Sequence, residues 1–415
     1  MNRRANFKNF KKTPKLVIFI ITLLGWIFIV PLSYIIPRKR NRIILMGTKD
    51  GIFIDNIKYF FLYLSEVKDQ SLDFYLLTAN RDVYDDLSKE YSNILYYPSL
   101  KACWYMLRSK VFIMDSFSWG DNCRFQFFWT AKLVQIWHGI GLKKIQLNNK
   151  FFLKELEVFS KRMLVKFVGK LPVYDAIIST GTFFTQEFFK PSFRSKNFIN
   201  TGYPRNDVLV NPGKYKNEKK NTDREAIQKL EDFRKDGIKS ILYAPTIRDT
   251  GGDAIQDDII DLKKMNEFAL ANNLVVIFKL HPIPMYNYDA NGLERIIWYD
   301  NVKDVYPLLP LVDVLITDYS SIYLDFILLN RPILFLLYDR EKYESKDREL
   351  HDYFEDFIVG AISKNQKDLE SDIIDAIALP DKHRMKREEI LSKSYDHKCA
   401  DSSKRILEFI KQCYF

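Results

Sequence analysis

DVLITDYSSIYLDFILLNRPILFLLYD, residues 313–339, sets two short apolar runs around a longer one. DVLIT reads as a strand that ends in the polar D-Y-S-S. IYLDFILL then reads as a helix, and PILFLLYD as a second strand entered at Pro332. Strand, helix, strand within so few residues is the unit of a parallel sheet. Its strands are buried on both faces and so read as continuous apolar runs.

The same alternation extends to both ends of the chain. SILYAPT (240–246) and LVVIFKLHP (274–282) precede the quoted unit. Further back, RIILMG (42–47), DFYLLTA (73–79), VFIMDS (111–116), LVQIWHG (133–139) and AIISTG (176–181) read as strands, with helical stretches such as DNIKYFFLYLSEV (55–67) between them. Residues 211–223, NPGKYKNEKKNTD, interrupt the pattern and have the composition of a linker. The expected organisation is a segment over 1–42, an α/β unit over 43–210, a linker over 211–223 and a second α/β unit over 224–415.

The first segment differs from the rest. Leu16 to Ile36 carries no charge and is about long enough to span a bilayer. Arg3, Arg4, Lys8, Lys11, Lys12 and Lys15 precede it, and Arg38, Lys39, Arg40 and Arg42 follow. Those ten cations equal the net charge of +10; beyond residue 42 the chain holds 53 basic and 53 acidic residues. A nucleic-acid binder would carry its positive field on the folded body, so this distribution argues against one. Basic clusters flanking an apolar run suit an anionic membrane surface. Pro31 is expected to interrupt the helix in its second half, which leaves both a clean span and a segment within one leaflet open. A second amphipathic stretch, 151–172, interleaves Lys154, Lys161, Arg162, Lys166 and Lys170 with apolar residues. It reads as a domain helix or as a basic interfacial helix. Cys103, Cys123, Cys399 and Cys413 form neither a disulfide framework nor a zinc pattern.

Ligands of open α/β sheets bind beyond the carboxyl ends of the strands. At those ends stand His138, Gly139, Ile140, Gly141 and Leu142; Gly202, Arg205, Asn206 and Asp207; Pro245, Thr246 and Arg248; His281 and Pro282; and Asp318, Ser320 and Ser321, with Asp325 one helical turn later. Glycines admit a phosphate to the backbone, hydroxyls at a helix start can bind one, and arginine can grip one with two hydrogen bonds. Split across both units, this set suits a pyrophosphate-bearing substrate in an interdomain cleft.

FIDNIKYF, WHGIGLKK, YDAIISTGTFFTQEFF, TGYPRNDVL, ILYAPTIRD, FKLHP and the run from 313 to 343 give the chain a resemblance to the CDP-glycerol glycerophosphotransferase family, covering most of residues 50–345. The resemblance implies a GT-B-like α/β fold, with two Rossmann-type domains around a cleft. It also implies a CDP-alditol donor, a lipid-linked or polymer acceptor, and peripheral attachment to the cytoplasmic face of a bacterial membrane. Donor contacts are implied at His138, Gly139, Ile140, Gly141 and Leu142, at Arg205, at Pro245 and Thr246, at Lys279, Leu280 and His281, and at Ser320, Ser321 and Asp325. The chain departs from the family pattern at H-G-I-G-L, where H-G-T-P-L is usual, at Ile247 in place of Trp, and at Lys279 in place of the commoner Arg.

On this reading His138 is the general base that takes the acceptor's proton. His281, the second catalytic candidate, joins Arg205, Ser320 and Ser321 in stabilising departing CMP. The chain has no D-x-D metal motif, so no cofactor and no Mg2+ is required. The activity expected is glycerol phosphate transfer in teichoic acid or related surface polymer synthesis. A CDP-ribitol transferase for wall or capsule polymer is the near alternative, a sugar transferase a further one, and a membrane-tethered glycan-binding module the non-catalytic one. The oligomeric state is left open.

Overall fold

The computed structural model describes residues 15–67, 69–120, 124–169, 171–280 and 292–415. Two all-parallel sheets carry the fold. The first comprises β1 (Lys39–Met46), β2 (Asp73–Thr78), β3 (Ile94–Tyr96), β4 (Ser109–Met114), β5 (Lys132–Gln135), β6 (Ala176–Ser179) and β7 (Phe198–Asn200), in the order 3-2-1-4-5-6-7. The second comprises β8 (Lys239–Tyr243), β9 (Leu274–Phe278), β10 (Ile296–Trp298), β11 (Val314–Thr317), β12 (Ile333–Leu336) and β13 (Ile362–Ser363), in the order 10-9-8-11-12-13.

Every strand expected from the sequence is present, and the arrangement is GT-B-like. The strands missed, β3, β7, β10 and β13, have only two or three residues each, too few for a periodic signal. The strand order reverses between β1 and β4 and again between β8 and β11. These are the switch points where an open α/β sheet leaves a crevice.

The helix Asp55–Glu66 packs between the layers and is buried nearly all round, including Phe60, Phe61 and Leu64. Each such side chain contributes about 1.5–3 kcal/mol. Lys58 lies on the same buried helix. Its charge is tolerated because Nζ meets Asp304 Oδ2 of the second unit at 2.6 Å, and Tyr59 O–H donates to the same oxygen at 2.6 Å.

Residues 211–223 are turns, yet they are fastened. Asn217 Nδ2 donates to Tyr91 Oη at 2.7 Å, Asn221 Nδ2 donates to Phe53 O at 3.0 Å, and Tyr215 is buried. The chain's last helix, Ser402–Tyr414, returns to the first unit. Asp207 accepts from the backbone N–H groups of Ser402 and Ser403 at 2.9 and 3.0 Å, capping that helix.

The N-terminal apolar run is helical from Lys15 to Ile35. Pro31 does not interrupt it, contrary to expectation. A π-helical turn over Gly25–Ile29, closed by Val30 N–H to Gly25 O, precedes the proline and absorbs the missing donor. One stripe of this helix faces the body. A Cβ on Gly25 would lie 2.8 Å from Gln126 Cδ, Trp26 Nε1 donates to Phe167 O at 3.1 Å, and Thr130 Oγ1 donates to Ser33 O at 2.9 Å. Lys39, Arg40 and Arg42, the basic cluster behind the apolar run, lie within β1.

Candidate active site

The loop after β5 opens the site. Trp137 enters the left-handed region with φ 44°, a conformation that costs a non-glycine residue energy. Hydrogen bonds hold it there. Asn56 Nδ2 donates to Ile136 O at 3.2 Å and to Trp137 O at 2.7 Å, and Gln135 Oε1 accepts from Trp137 N–H at 3.0 Å. The turn carries His138 to the cleft. Its Nδ1 lies 2.9 Å from the carbonyl oxygen of Asp115, at the end of β4. A carbonyl only accepts, so the neutral ring carries its proton on Nδ1 and leaves a lone pair on Nε2. Protein crowds the ring while one side stays open to solvent. Burial lowers its pKa below 6.5, opposed in part by the bond to Asp115. Burial first, and nearby Asp55 next, push the Asp115 carboxyl well above the usual carboxylate range.

Two glycines fix the path of the loop. Gly139 has φ 148°, and a Cβ there would lie 2.8 Å from Ser321 Oγ and 3.2 Å from Arg205 Nη2. The loop backbone therefore presses on a hydroxyl of the second unit. A Cβ on Gly141 would lie 1.7 Å from Phe188 Cε2. Phe188 sits in a π-helical turn, Thr185–Phe189, and its ring fills the space that a side chain at position 141 would need. Ile140 and Leu142 are buried and anchor the loop to the core.

Arg205 joins the two units beneath this loop. It is buried; Nη1 donates to Asp55 Oδ1 and to His138 O, both at 2.8 Å, and Nη2 donates to Asp325 Oδ2 at 2.7 Å. Tyr306 O–H donates to Asp325 Oδ2 at 2.8 Å, and Tyr395 O–H is shared between Leu324 O at 2.8 Å and Asp325 Oδ1 at 3.2 Å. Burial opposes the guanidinium charge, but Asp325 and Asp55 outweigh it and raise the pKa. Arg205 and Asp325 are thus engaged with each other at the base of the cleft.

The second unit supplies the opposite wall. Thr246 N–H donates to Asp318 Oδ1 at 2.8 Å. Buried Arg248 is claimed by Asp318 Oδ2 at 2.8 Å and Asp339 Oδ2 at 2.6 Å. Pro245, Thr246, Ser320 and Ser321 are half-buried. Ser321 begins a short helix, Ile322–Phe326, but makes no side-chain capping bond. Its hydroxyl lies against Gly139 instead. Lys279 and Leu280 follow β9, both half-buried. Lys279 Nζ lies 3.4 Å from Asn301 O, and burial, with Lys49 next, lowers its pKa to about 8. His281 lies outside the described residues.

The structure thus gathers His138, Gly139, Arg205, Ser321 and Asp325 into one cluster, with Thr246 held by Asp318 across the cleft. Sequence reasoning missed Asp55, Asn56, Asp115, Tyr306 and Tyr395. Asp115 ends the run VFIMDS and could have been found by the same strand-end rule. Tyr395 could not, because it meets Asn206 Nδ2 at 3.1 Å from 189 residues away.

Residues 28–412 match the family described as CDP-Glycerol:Poly(glycerophosphate) glycerophosphotransferase. The chain is 31% identical over 395 residues to a teichoic acid poly(glycerol phosphate) polymerase of Bacillus spizizenii, covering 90% of this chain and 93% of that one. It is 32% identical over 285 residues to a teichoic acid glycerol-phosphate primase of Bacillus subtilis, covering 66% of this chain and 67% of that one. Its fold matches the wall teichoic acid polymerase TagF, in a His-to-Asn variant soaked with CDPG, with a TM-score of 0.69 and 21% identity over 96% of this chain and 98% of that one. With nearly its whole length matched, and two parallel sheets enclosing a histidine-bearing cleft, this chain belongs to the CDP-glycerol glycerophosphotransferase family of teichoic acid biosynthesis.

Proposed function

We propose that the protein transfers glycerol phosphate from CDP-glycerol to a hydroxyl of a membrane-linked acceptor and releases CMP. The observation that carries this is the His138 ring, tied through Nδ1 to the Asp115 carbonyl, which leaves the lone pair on Nε2 of a solvent-exposed side chain. The acceptor oxygen attacks the phosphorus that bears glycerol. Its proton passes to Nε2, a new P–O bond forms, and the bond to the CMP phosphate breaks with its electrons on that phosphate. Ser320, Ser321 and Thr246 line the wall where the departing phosphate gathers charge. Arg205 and Asp325 serve by holding the loop that carries His138; their charges are already matched. His281 keeps its role as a donor contact in this proposal. A CDP-ribitol donor is the near rival, and a glycan-binding module without turnover the distant one. Purified protein offered CDP-glycerol and CDP-ribitol in parallel, with a membrane-linked acceptor, separates them by CMP release. CDP-glycerol is expected to be the faster donor. Faster CMP release from CDP-ribitol would move the specificity, and release from neither would favour the binding module.

The N-terminal helix serves this reaction as a membrane anchor lying along the body. Leu16–Ile35 has a mean hydropathy of 2.6. Its inner stripe is bonded to the protein from Thr22 to Ser33, while Phe19, Ile20, Ile27, Phe28 and Ile35 are exposed. The helix Phe159–Phe167 lies beside it, with Phe19 and Phe167 ring centroids 5.4 Å apart. That helix exposes Phe159, Met163 and Leu164 together with Lys161 and Arg162. A helix fastened along its length suits burial in the headgroup boundary of an anionic cytoplasmic leaflet. Replacing Ile27 and Phe28 with Lys, outside the bonded stripe, is expected to release the protein from anionic vesicles and to spare turnover of a soluble acceptor. High salt alone is expected to leave the parent protein bound, because apolar burial is not screened. Vesicle binding undiminished in the double variant would contradict this anchor.

A further inference from the structure

Lys143 follows the H-G-I-G-L loop and crosses the cleft. Its Nζ donates to Thr246 Oγ1 of the second unit at 3.3 Å and stands 5.6 Å from the centroid of the Tyr343 ring. Its backbone is pinned on the far side by a bridge to Leu350, and Lys144 N–H donates to Glu349 O at 2.9 Å. The ammonium is therefore held over Thr246 by the fold and not by a counter-charge.

The charges around it are already engaged. Arg248 is paired with Asp318 and Asp339, and Arg348 with Asp249 at 2.9 Å. The neighbouring Lys144 is paired with Glu349 at 2.8 Å. Among the described residues, Lys143 has no carboxylate within 4.0 Å. Nearby Asp318 and Asp249 favour its charge, Arg348 and Arg248 oppose it, and the Tyr343 ring covers one side. Among the described residues the half-buried cation has no ion-pair partner, and its hydrogen bond goes to a hydroxyl. Such a group is stabilised by an incoming anion, and a phosphate oxygen beside Thr246 would complete its shell.

We propose that Lys143 is a substrate-binding residue for the donor's pyrophosphate, reaching it across the cleft alongside Thr246. The inference rests on the reading of the cleft as a CDP-alditol site. It assigns to Lys143 a cationic contact that does not compete with carboxylates, whereas both Nη groups of Arg205 are bonded to Asp55 and Asp325. It also carries a pH signature. Burial lowers the Lys143 pKa to about 7 in the free protein, so donor binding weakens as the pH rises through neutrality, whereas arginine at the same place stays charged.

The test uses the full chain with Lys143→Met and Lys143→Arg, and reads CDP binding by calorimetry together with donor and acceptor KM. Lys143→Met is expected to weaken CDP binding and raise donor KM by about 10–100-fold, the usual worth of a charged hydrogen bond. Acceptor KM should hold and the melting temperature should stay near that of the parent. Lys143→Arg should keep most of the affinity and lose the fall in donor binding between about pH 7 and 9. Unchanged CDP affinity in Lys143→Met, or a rise confined to acceptor KM, overturns the assignment while the parent's own CDP binding leaves the reading of the cleft intact. A parent protein that binds no CDP overturns both.

Discussion

At the base of the cleft every charge has an opposite beside it. Arg205 lies between Asp55 and Asp325, and Lys58 meets Asp304, with all but Asp55 almost wholly buried. The walls use similar side chains differently. His138, Lys143, Lys279, Ser320 and Ser321 are half-buried or open, and none of them forms an ion pair among the described residues. Compensated charges hold two units and one strained loop in place. Uncompensated groups keep their hydrogen-bonding capacity for what enters. The base should therefore govern stability, and the walls should govern chemistry.

The largest effect is expected on the wall. His138→Ala should lower turnover by about 10²–10⁴-fold, the worth of a general base, with an unfolding midpoint like that of the parent. The base should respond the other way. Arg205→Ala leaves Asp325 buried without its cation, and breaking such a pair costs about 3–5 kcal/mol, readable by urea denaturation. A loss under about 1 kcal/mol would erase the distinction between base and wall.

The pH profile sharpens the comparison. A protonated His138 has no lone pair to receive the acceptor's proton, so kcat/KM should fall as the pH drops through its pKa. Burial places that limb below 6.5, and a limb above 6.5 would deny the crowded, neutral ring. The smallest effect belongs to the hydroxyls. The joint change Ser320→Ala with Ser321→Ala should raise donor KM by about 3–10-fold, as loss of neutral hydrogen bonds does. Stability should fall by no more than about 1 kcal/mol, because Ser321 makes no side-chain capping bond and the Ser320 hydroxyl accepts from Ile322 N–H at a long 3.5 Å.

The walls were legible in the sequence, whereas of the base only Arg205 and Asp325 were, without their partners. Strand ends are marked by a switch from apolar to polar residues, so His138, Thr246, Ser320 and Ser321 could be placed at one topological edge. The Arg205–Asp325 pair is held by groups from four separate stretches: Asp55 at the start of a helix and His138 O bond Arg205, while Tyr306 and Tyr395, the latter beyond the second sheet, bond Asp325. Their meeting depends on how the units pack, which no local pattern records. Arg205 itself illustrates the limit. Its residue type suggested a phosphate ligand, and only the packing reveals that Nη1 and Nη2 are engaged with Asp55, His138 and Asp325. Lys58 reads as a break in an apolar helix until Asp304 is seen opposite. The linker is similar, polar by composition yet closed over Tyr215 by bonds to the first unit.

The central claim is a transfer reaction, and its most direct test is stoichiometry. Purified protein supplied with CDP-glycerol and a membrane-linked acceptor should release one CMP for each glycerol phosphate that the acceptor gains, with neither product forming when the acceptor is omitted. Saturable binding of the acceptor with no CMP released, or CMP released with no gain by the acceptor, would contradict it.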